Sequence, residues 1–137
     1  MLDPTTTTIF GLILLMLLLV ATIGMQRLFI ATTSDKAPNS FLPTGEDVGG
    51  FAVRLARAHA NCYEFLPFAL AALVFAAATA NSAVTDGLAY YFLIARIGQT
   101  ATHLISTSQP AVFVRFAFFL AQVVILVGWC LHFLGVI

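Results

Sequence analysis

Four polar side chains cluster in a stretch that leads directly into an apolar segment. The stretch is RLARAHANCYEFLPF, residues 54–68, and it supplies Arg54, Arg57, Asn61 and Glu64. At 100° per residue of an α-helix, these four positions lie within an arc of about 80°. Guanidinium groups on one helix face are well suited to binding carboxylates. The spacing therefore predicts an anion-binding face that contains a single acidic member.

The next apolar segment carries a similar polar face. Arg96, Gln99, Thr100 and His103 stand at i, i+3, i+4 and i+7, which places them on one side of a helix. Arg115 follows near the start of the last apolar segment. A charged side chain inside a bilayer is costly unless it pairs or reaches water. The excess of arginine over acidic residues in these segments predicts a site for a carboxylate-rich anion.

The composition places these residues in a membrane protein. The chain is 61% hydrophobic and 9% charged, whereas a soluble domain is about 25% charged. Its net charge of zero provides no basic field for nucleic acid, so we expect no nucleic-acid partner. Cys62 and Cys130 form neither a zinc pattern nor a CxxC motif, so we expect no metal. Their positions at different depths of the membrane predict free thiols.

Runs without charge define the membrane-spanning segments. Residues 31–50 form the only long polar loop, and the later turns are short enough to force antiparallel neighbours. We therefore expect one all-α domain over residues 1–137, an integral membrane antiparallel four-helix bundle. Its predicted spans are about 8–30, 51–80, 87–106 and 110–136.

Loop charges predict the orientation of the bundle. Five of the six basic residues lie near the 31–50 loop or the 106–110 turn, and the other side offers two aspartates and no lysine or arginine. Cytoplasmic loops carry the excess of basic residues in membrane proteins. We therefore expect a cytoplasmic 31–50 loop and both termini on the opposite side.

Two charged side chains are expected deep in the bundle. From the cytoplasmic side, Glu64 lies at a depth of roughly 20 Å and Arg96 at roughly 15 Å, at about 1.5 Å per helical residue. These depths overlap within the error of the helix boundaries. We therefore predict that Glu64 and Arg96 share one hydrogen-bonded network.

The stretch RLARAHANCYEFLPF resembles the signature R-x-x-R-A-H-x-N-x-x-E-x-x-P-F of the MAPEG family, the membrane-associated proteins of eicosanoid and glutathione metabolism. The chain length, the four spans and the long first loop are also similar to those of microsomal glutathione transferases in this family. The resemblance implies a homotrimer embedded in the lipid bilayer. It also implies glutathione bound between neighbouring subunits, in a site that opens to the cytoplasm.

The resemblance also assigns roles to individual residues. Arg115 resembles the arginine that stabilises the glutathione thiolate, and His103 stands where catalytic members usually have a tyrosine. Phe116 follows Arg115, where a small hydroxyl residue can assist the thiol. The candidate catalytic residues are therefore Arg115 and His103. The candidate glutathione-binding residues are Arg27, Arg54, Arg57, Asn61, Glu64, Arg96 and Gln99.

Three functions agree with these features. The first is a glutathione-dependent transferase or peroxidase that acts on lipophilic small molecules entering from the bilayer. In it, Arg115 would lower the pKa of the thiol, and His103 would donate a hydrogen bond or act as a base. The second is a non-catalytic regulatory protein that binds lipid or glutathione. The third is a structural or channel-like trimer whose polar faces line a water path.

Overall fold

The computed structural model describes residues 2–137 as four α-helices without strands. Helices α1, α2 and α4 are long and apolar enough to cross a membrane. Helix α3 is less apolar because it carries much of the polar face, and it packs against the other three helices. The predicted all-α membrane bundle is confirmed. The helices are α1 Pro4–Thr33, α2 Gly50–Ala78, α3 Ser82–Ile105 and α4 Gln109–Phe133.

Several helix boundaries differ from the prediction because polar residues cap or extend the helices. Helix α1 begins at Pro4, not near residue 8, since the Asp3 carboxylate accepts from the backbone N–H of Thr6 at 2.7 Å. Helix α3 begins at Ser82, so the predicted turn before residue 87 forms the first turns of that helix. Helix α4 ends earlier than predicted, and Gly135 follows it with φ +70°.

Close contacts at two glycines place α3 at the centre of the bundle. A Cβ added at Gly98 would lie 2.7 Å from the Phe118 ring of α4. A Cβ added at Gly11 would lie 2.8 Å from Leu93 of α3. Small residues at such crossings let membrane helices approach closely. Within residues 2–137, α1 and α4 lie on different sides of α3 and do not contact each other.

A buried cluster of hydroxyl and carboxylate groups joins α1 to α3 at the end of the bundle that holds the termini. Asp86 accepts from the backbone N–H of Thr5 at 3.0 Å and from its hydroxyl at 2.6 Å. The Thr85 hydroxyl lies 2.6 Å from the Thr5 hydroxyl, and both threonine side chains are fully buried. Asp86 therefore satisfies one of the free N–H groups in the first turn of α1.

We expect Asp86→Ala to lower the free energy of unfolding by about 1–3 kcal/mol, the usual cost of leaving buried donors without an acceptor. Thermal unfolding in detergent micelles measures the change. Asp35→Ala is the matched control, because Asp35 lies in the exposed loop without a hydrogen bond to residues 2–137. Equal midpoints for the two variants would show that the Thr5–Asp86 contact does not stabilise the bundle.

Candidate functional site

Two arginines from neighbouring helices contact the last turn of α3. Arg115 of α4 contacts His103, and Arg54 of α2 donates to the carbonyl oxygen of the adjacent Leu104. His103 and Arg115 are both half-buried. Candidate residues of three helices therefore meet at this end of the bundle.

Arg115 donates a hydrogen bond to His103. Its Nη1 lies 2.9 Å from Nδ1 of the imidazole. A guanidinium carries only donors, so Nδ1 must be the accepting, unprotonated nitrogen of a neutral ring. The contact joins the two residues that the sequence suggested as catalytic.

Arg96 lies in a neutral amide cluster inside the bundle. The Arg96 side chain is fully buried, and its Nη1 donates to Oε1 of Gln99 at 3.1 Å and to Oε1 of Gln122 at 3.4 Å. Gln122 also donates to Gln99 Oε1 at 2.8 Å, and the Phe65 ring lies 5.5 Å from the guanidinium carbon. The Nε and Nη2 atoms of Arg96 have no partner within residues 2–137. Arg96 therefore carries a buried charge that no carboxylate of residues 2–137 neutralises.

The predicted network between Glu64 and Arg96 is wrong. Glu64 is exposed on α2, whereas Arg96 is buried among amides and aromatic rings. The buried line of α2 passes through Cys62, whose sulfur lies 3.6 Å from the Thr100 hydroxyl of α3. Glu64 stands two positions beyond Cys62, which turns it about 200° around the helix. Similar depth therefore did not bring Glu64 and Arg96 together, because they lie on faces that do not meet.

The other candidate residues of α2 divide into two groups. Arg54 is half-buried, and its Nε donates to the carbonyl oxygen of Leu104 at 2.7 Å, which joins the start of α2 to the end of α3. Arg57, Asn61 and Glu64 make no side-chain hydrogen bond or ion pair to any part of the described chain. These three side chains therefore form a polar face that is free to bind something outside the chain.

A pocket of about 240 Å³ lies between this part of α2 and the long loop. Arg57 and Glu46 line it, together with Pro43, Thr44, Val53, Ala56 and Ala60. Contacts within the loop hold it in place: Arg27 donates to the Leu42 carbonyl oxygen at 3.1 Å, and Lys36 pairs with Asp47 at 2.9 Å. Arg27 therefore lies at the loop and not beside His103 in this chain.

Lys36 also affects the ionisation of Asp47 in the loop. The hydrogen bond from Lys36, with help from the backbone N–H of Leu42, holds the pKa of Asp47 below its usual range. Because the folded carboxyl has the lower pKa, the Lys36–Asp47 contact stabilises the loop above about pH 4 and is lost as the pH falls further. The loop contact is therefore present at neutral pH.

Gln122 was not among the residues predicted from the sequence. It is fully buried and contacts both Arg96 and Gln99. One signal could have identified it: Gln122 stands at i+7 from Arg115 in a stretch of α4 that is otherwise apolar. A search that follows charges misses such a neutral amide.

The arrangement of these groups favours the binding of an anion over proton abstraction. Its cationic and amide donors have no bonded carboxylate in the described part of the chain. Donors fixed around a point of developing negative charge stabilise that charge. Across residues 2–137, no three His, Cys, Asp or Glu side chains are grouped to hold a metal ion. Cys62 and Cys130 are free thiols, as expected.

Comparison with known proteins agrees with the motif in α2. The family model described as the MAPEG family matches residues 5–135. No curated protein and no solved structure matches the chain significantly. The family match covers all four helices except the first residue of α1. The chain therefore belongs to the MAPEG family, and it is a membrane protein related to glutathione or eicosanoid metabolism.

Proposed function

We propose that the protein is a glutathione-dependent transferase or peroxidase that acts on lipophilic electrophiles. One observation carries the proposal: no acidic side chain of residues 2–137 bonds to Arg57, Arg96 or Arg115, although Arg96 is fully buried and Arg115 half-buried. A charged side chain within a membrane-spanning segment must pair or reach water, and a bound anion would pair with these guanidinium groups. Glutathione carries two carboxylates and a thiol that can ionise, so it meets that requirement.

The free polar face of α2 fits the remaining groups of glutathione. The exposed guanidinium of Arg57 would bind a carboxylate. Glu64 would accept from the ammonium group, and Asn61 would bond to a peptide group. Arg27 and Arg54 each donate one N–H to a backbone carbonyl and have further donors available for the tripeptide. Gln99 and Arg96 lie one and two helical turns before His103.

The same polar face supports the proposal of a homotrimer. Glu64 is exposed and Asn61 half-exposed in the single chain, well inside a helix that is long enough to cross a membrane. Contact of such groups with lipid is costly, so they must be covered by protein or by a water-filled cavity. A neighbouring subunit would cover them and close the glutathione site between the two chains. The number three comes from the family resemblance.

Arg115 is the proposed activating group. Bound glutathione supplies the thiol, and a guanidinium beside a thiol lowers its pKa and raises the thiolate fraction. With an aryl chloride, a carbon–sulfur bond forms, the carbon–chlorine bond breaks, and chloride leaves with the bonding electrons while the thiol proton passes to solvent. The protein's contribution is to hold positive charge where the sulfur becomes negative.

The lipophilic co-substrate is proposed to arrive from the bilayer. Helices α1 and α4 do not contact each other within residues 2–137, and both present large apolar side chains to the outside. On α4, Phe113 and Phe116 are exposed close to Arg115 in sequence. An apolar molecule dissolved in the membrane could therefore reach the arginine without crossing water.

Titration of glutathione by calorimetry tests the binding site. We expect Arg57→Gln to weaken binding by about 10- to 100-fold, the value of one hydrogen bond between charged groups. Its unfolding midpoint should stay unchanged, because Arg57 has no partner in the described chain. His132→Gln, at an exposed position near the end of α4, should bind like the wild type. If Arg57→Gln binds glutathione as tightly as the wild type, the polar face of α2 does not belong to the binding site.

A non-catalytic binding protein is the second candidate. It is favoured by two observations: an exposed Phe116 follows Arg115, and Arg115 donates to His103, so one of its donors is bonded within the chain. This candidate predicts thermal stabilisation by glutathione or lipid without turnover of an aryl chloride or a lipid hydroperoxide. Ion flux through liposomes without ligand binding would instead favour the channel-like trimer.

A further inference from the structure

We propose that His103 is a positioning residue that holds Arg115 through Nδ1 and offers the ligand a hydrogen-bond donor at Nε2, and that it is not a base. The inference deepens the proposed function, because it states what the histidine contributes at the same site. It depends on the contact between Arg115 Nη1 and His103 Nδ1, 2.9 Å apart.

The contact fixes the tautomer of the imidazole. Arginine has five N–H donors and no acceptor, so the lone pair of Nδ1 must point at the guanidinium. A neutral imidazole with an accepting Nδ1 carries its proton on Nε2. Nε2 has no partner within the described chain, and it is not among the fully buried atoms. The ring therefore has no lone pair available to remove a proton from a ligand.

Gln99 is oriented in a comparable way one turn earlier on α3. Its Oε1 accepts from Arg96 at 3.1 Å and from Gln122 at 2.8 Å. The two N–H groups of its amide have no partner within residues 2–137. Gln99 and His103 thus have their accepting atoms turned inward and their donors available, on the same face of α3.

This arrangement selects a class of reaction. Donors and cations stabilise an atom that gains negative charge, such as a thiolate sulfur or the leaving oxygen of a hydroperoxide. A site without a free basic nitrogen does not assist reactions in which the protein must remove a proton from carbon. We therefore infer that the substrates are electrophiles attacked by the thiol, and that isomerisation by proton abstraction from carbon is not supported by residue 103.

Nuclear magnetic resonance of the ¹⁵N-histidine protein in micelles at pH 7.5 tests the tautomer directly. The chain has 3 histidines, and the spectrum of His103→Asn identifies the signals of residue 103. We expect an unprotonated Nδ1 and a protonated Nε2, and a mixture of tautomers in Arg115→Leu. A protonated Nδ1 in the wild type would overturn the proposal. This readout does not depend on glutathione binding or turnover, so it stays informative if the proposed function fails.

Two substitutions separate positioning from base catalysis in a conjugation assay with chlorodinitrobenzene. His103→Asn places an amide oxygen near the position of Nδ1 and has no basic group, so it keeps the acceptor for Arg115. We expect it to retain at least about one-third of the wild-type kcat. His103→Phe removes the acceptor, and we expect kcat to fall about 30-fold or more with a smaller change in the KM for glutathione.

A kcat for His103→Asn as low as that of His103→Phe would overturn the positioning role, because the acceptor would then not explain the contribution of His103. Matching unfolding midpoints of the two variants ensure that the comparison reports on the site and not on folding.

Discussion

Alanine at position 115 is expected to lower kcat for the conjugation of glutathione with chlorodinitrobenzene by about 100-fold or more. Removing one donor that stabilises a developing anion typically costs about 10²–10³ in rate. Arg115 is half-buried and is held by His103 at 2.9 Å, so its charge has a fixed position and is partly shielded from water. The affinity for glutathione should change less than kcat, because other arginines bind the carboxylates.

Two further variants make this result specific. Arg115→Lys keeps the charge but has a shorter, differently shaped head group, so we expect partial activity. His132→Ala, at an exposed position near the end of the same helix, should leave the rate unchanged. An unchanged rate in Arg115→Ala would exclude this mechanism even if the wild-type protein is active. An inactive wild type that glutathione still stabilises would favour the binding protein instead.

The helices were largely predictable from the sequence because charged residues are few and the stretches without charge are long. Long runs without charge marked α1, α2 and α4, and the polar loop marked the only long connection. The start of α3 was missed because Asp86 was treated as a turn residue. In the structure, Thr5 of α1 satisfies that carboxylate, so the helix continues through it. Such a contact over 81 positions is not visible in a local pattern.

The site was predictable only in part, because a helical wheel shows which residues share a face but not which faces meet. The wheel correctly grouped Arg96 with Gln99, and the two side chains share a hydrogen bond. It gave no reason to choose Cys62 over Glu64 as the residue of α2 that meets α3. Packing decides that question, since the buried line of α2 consists of small and aliphatic residues.

The buried amides around Arg96 lead to the second prediction with a large effect. Gln122 accepts from Arg96, donates to Gln99 and donates to the Phe118 carbonyl oxygen at 2.8 Å. Gln122→Leu should therefore lower the free energy of unfolding by about 3 kcal/mol, because several buried polar groups lose a partner at once. Arg96→Met should cost less than about 1 kcal/mol, because removing a buried guanidinium with two unpartnered nitrogens offsets the loss of its bonds to Gln99 and Gln122.

The double variant, Arg96→Met with Gln122→Leu, shows whether Gln122 stabilises the protein through its contact with the charge of Arg96. If Gln122 is needed because Arg96 is buried without a counterion, then Gln122→Leu should cost only about 1 kcal/mol in the Arg96→Met background, a coupling energy of about 2 kcal/mol. Denaturant unfolding in micelles measures all four proteins, and Gln26→Leu on α1 controls for replacing an amide that makes no side-chain hydrogen bond within residues 2–137. Additive costs would mean that Gln122 stabilises the α3–α4 contact independently of the charge. Strong coupling would show that Gln122 stabilises the buried charge of Arg96. Loss of glutathione affinity in Arg96→Met would show that this charge serves to bind the anion.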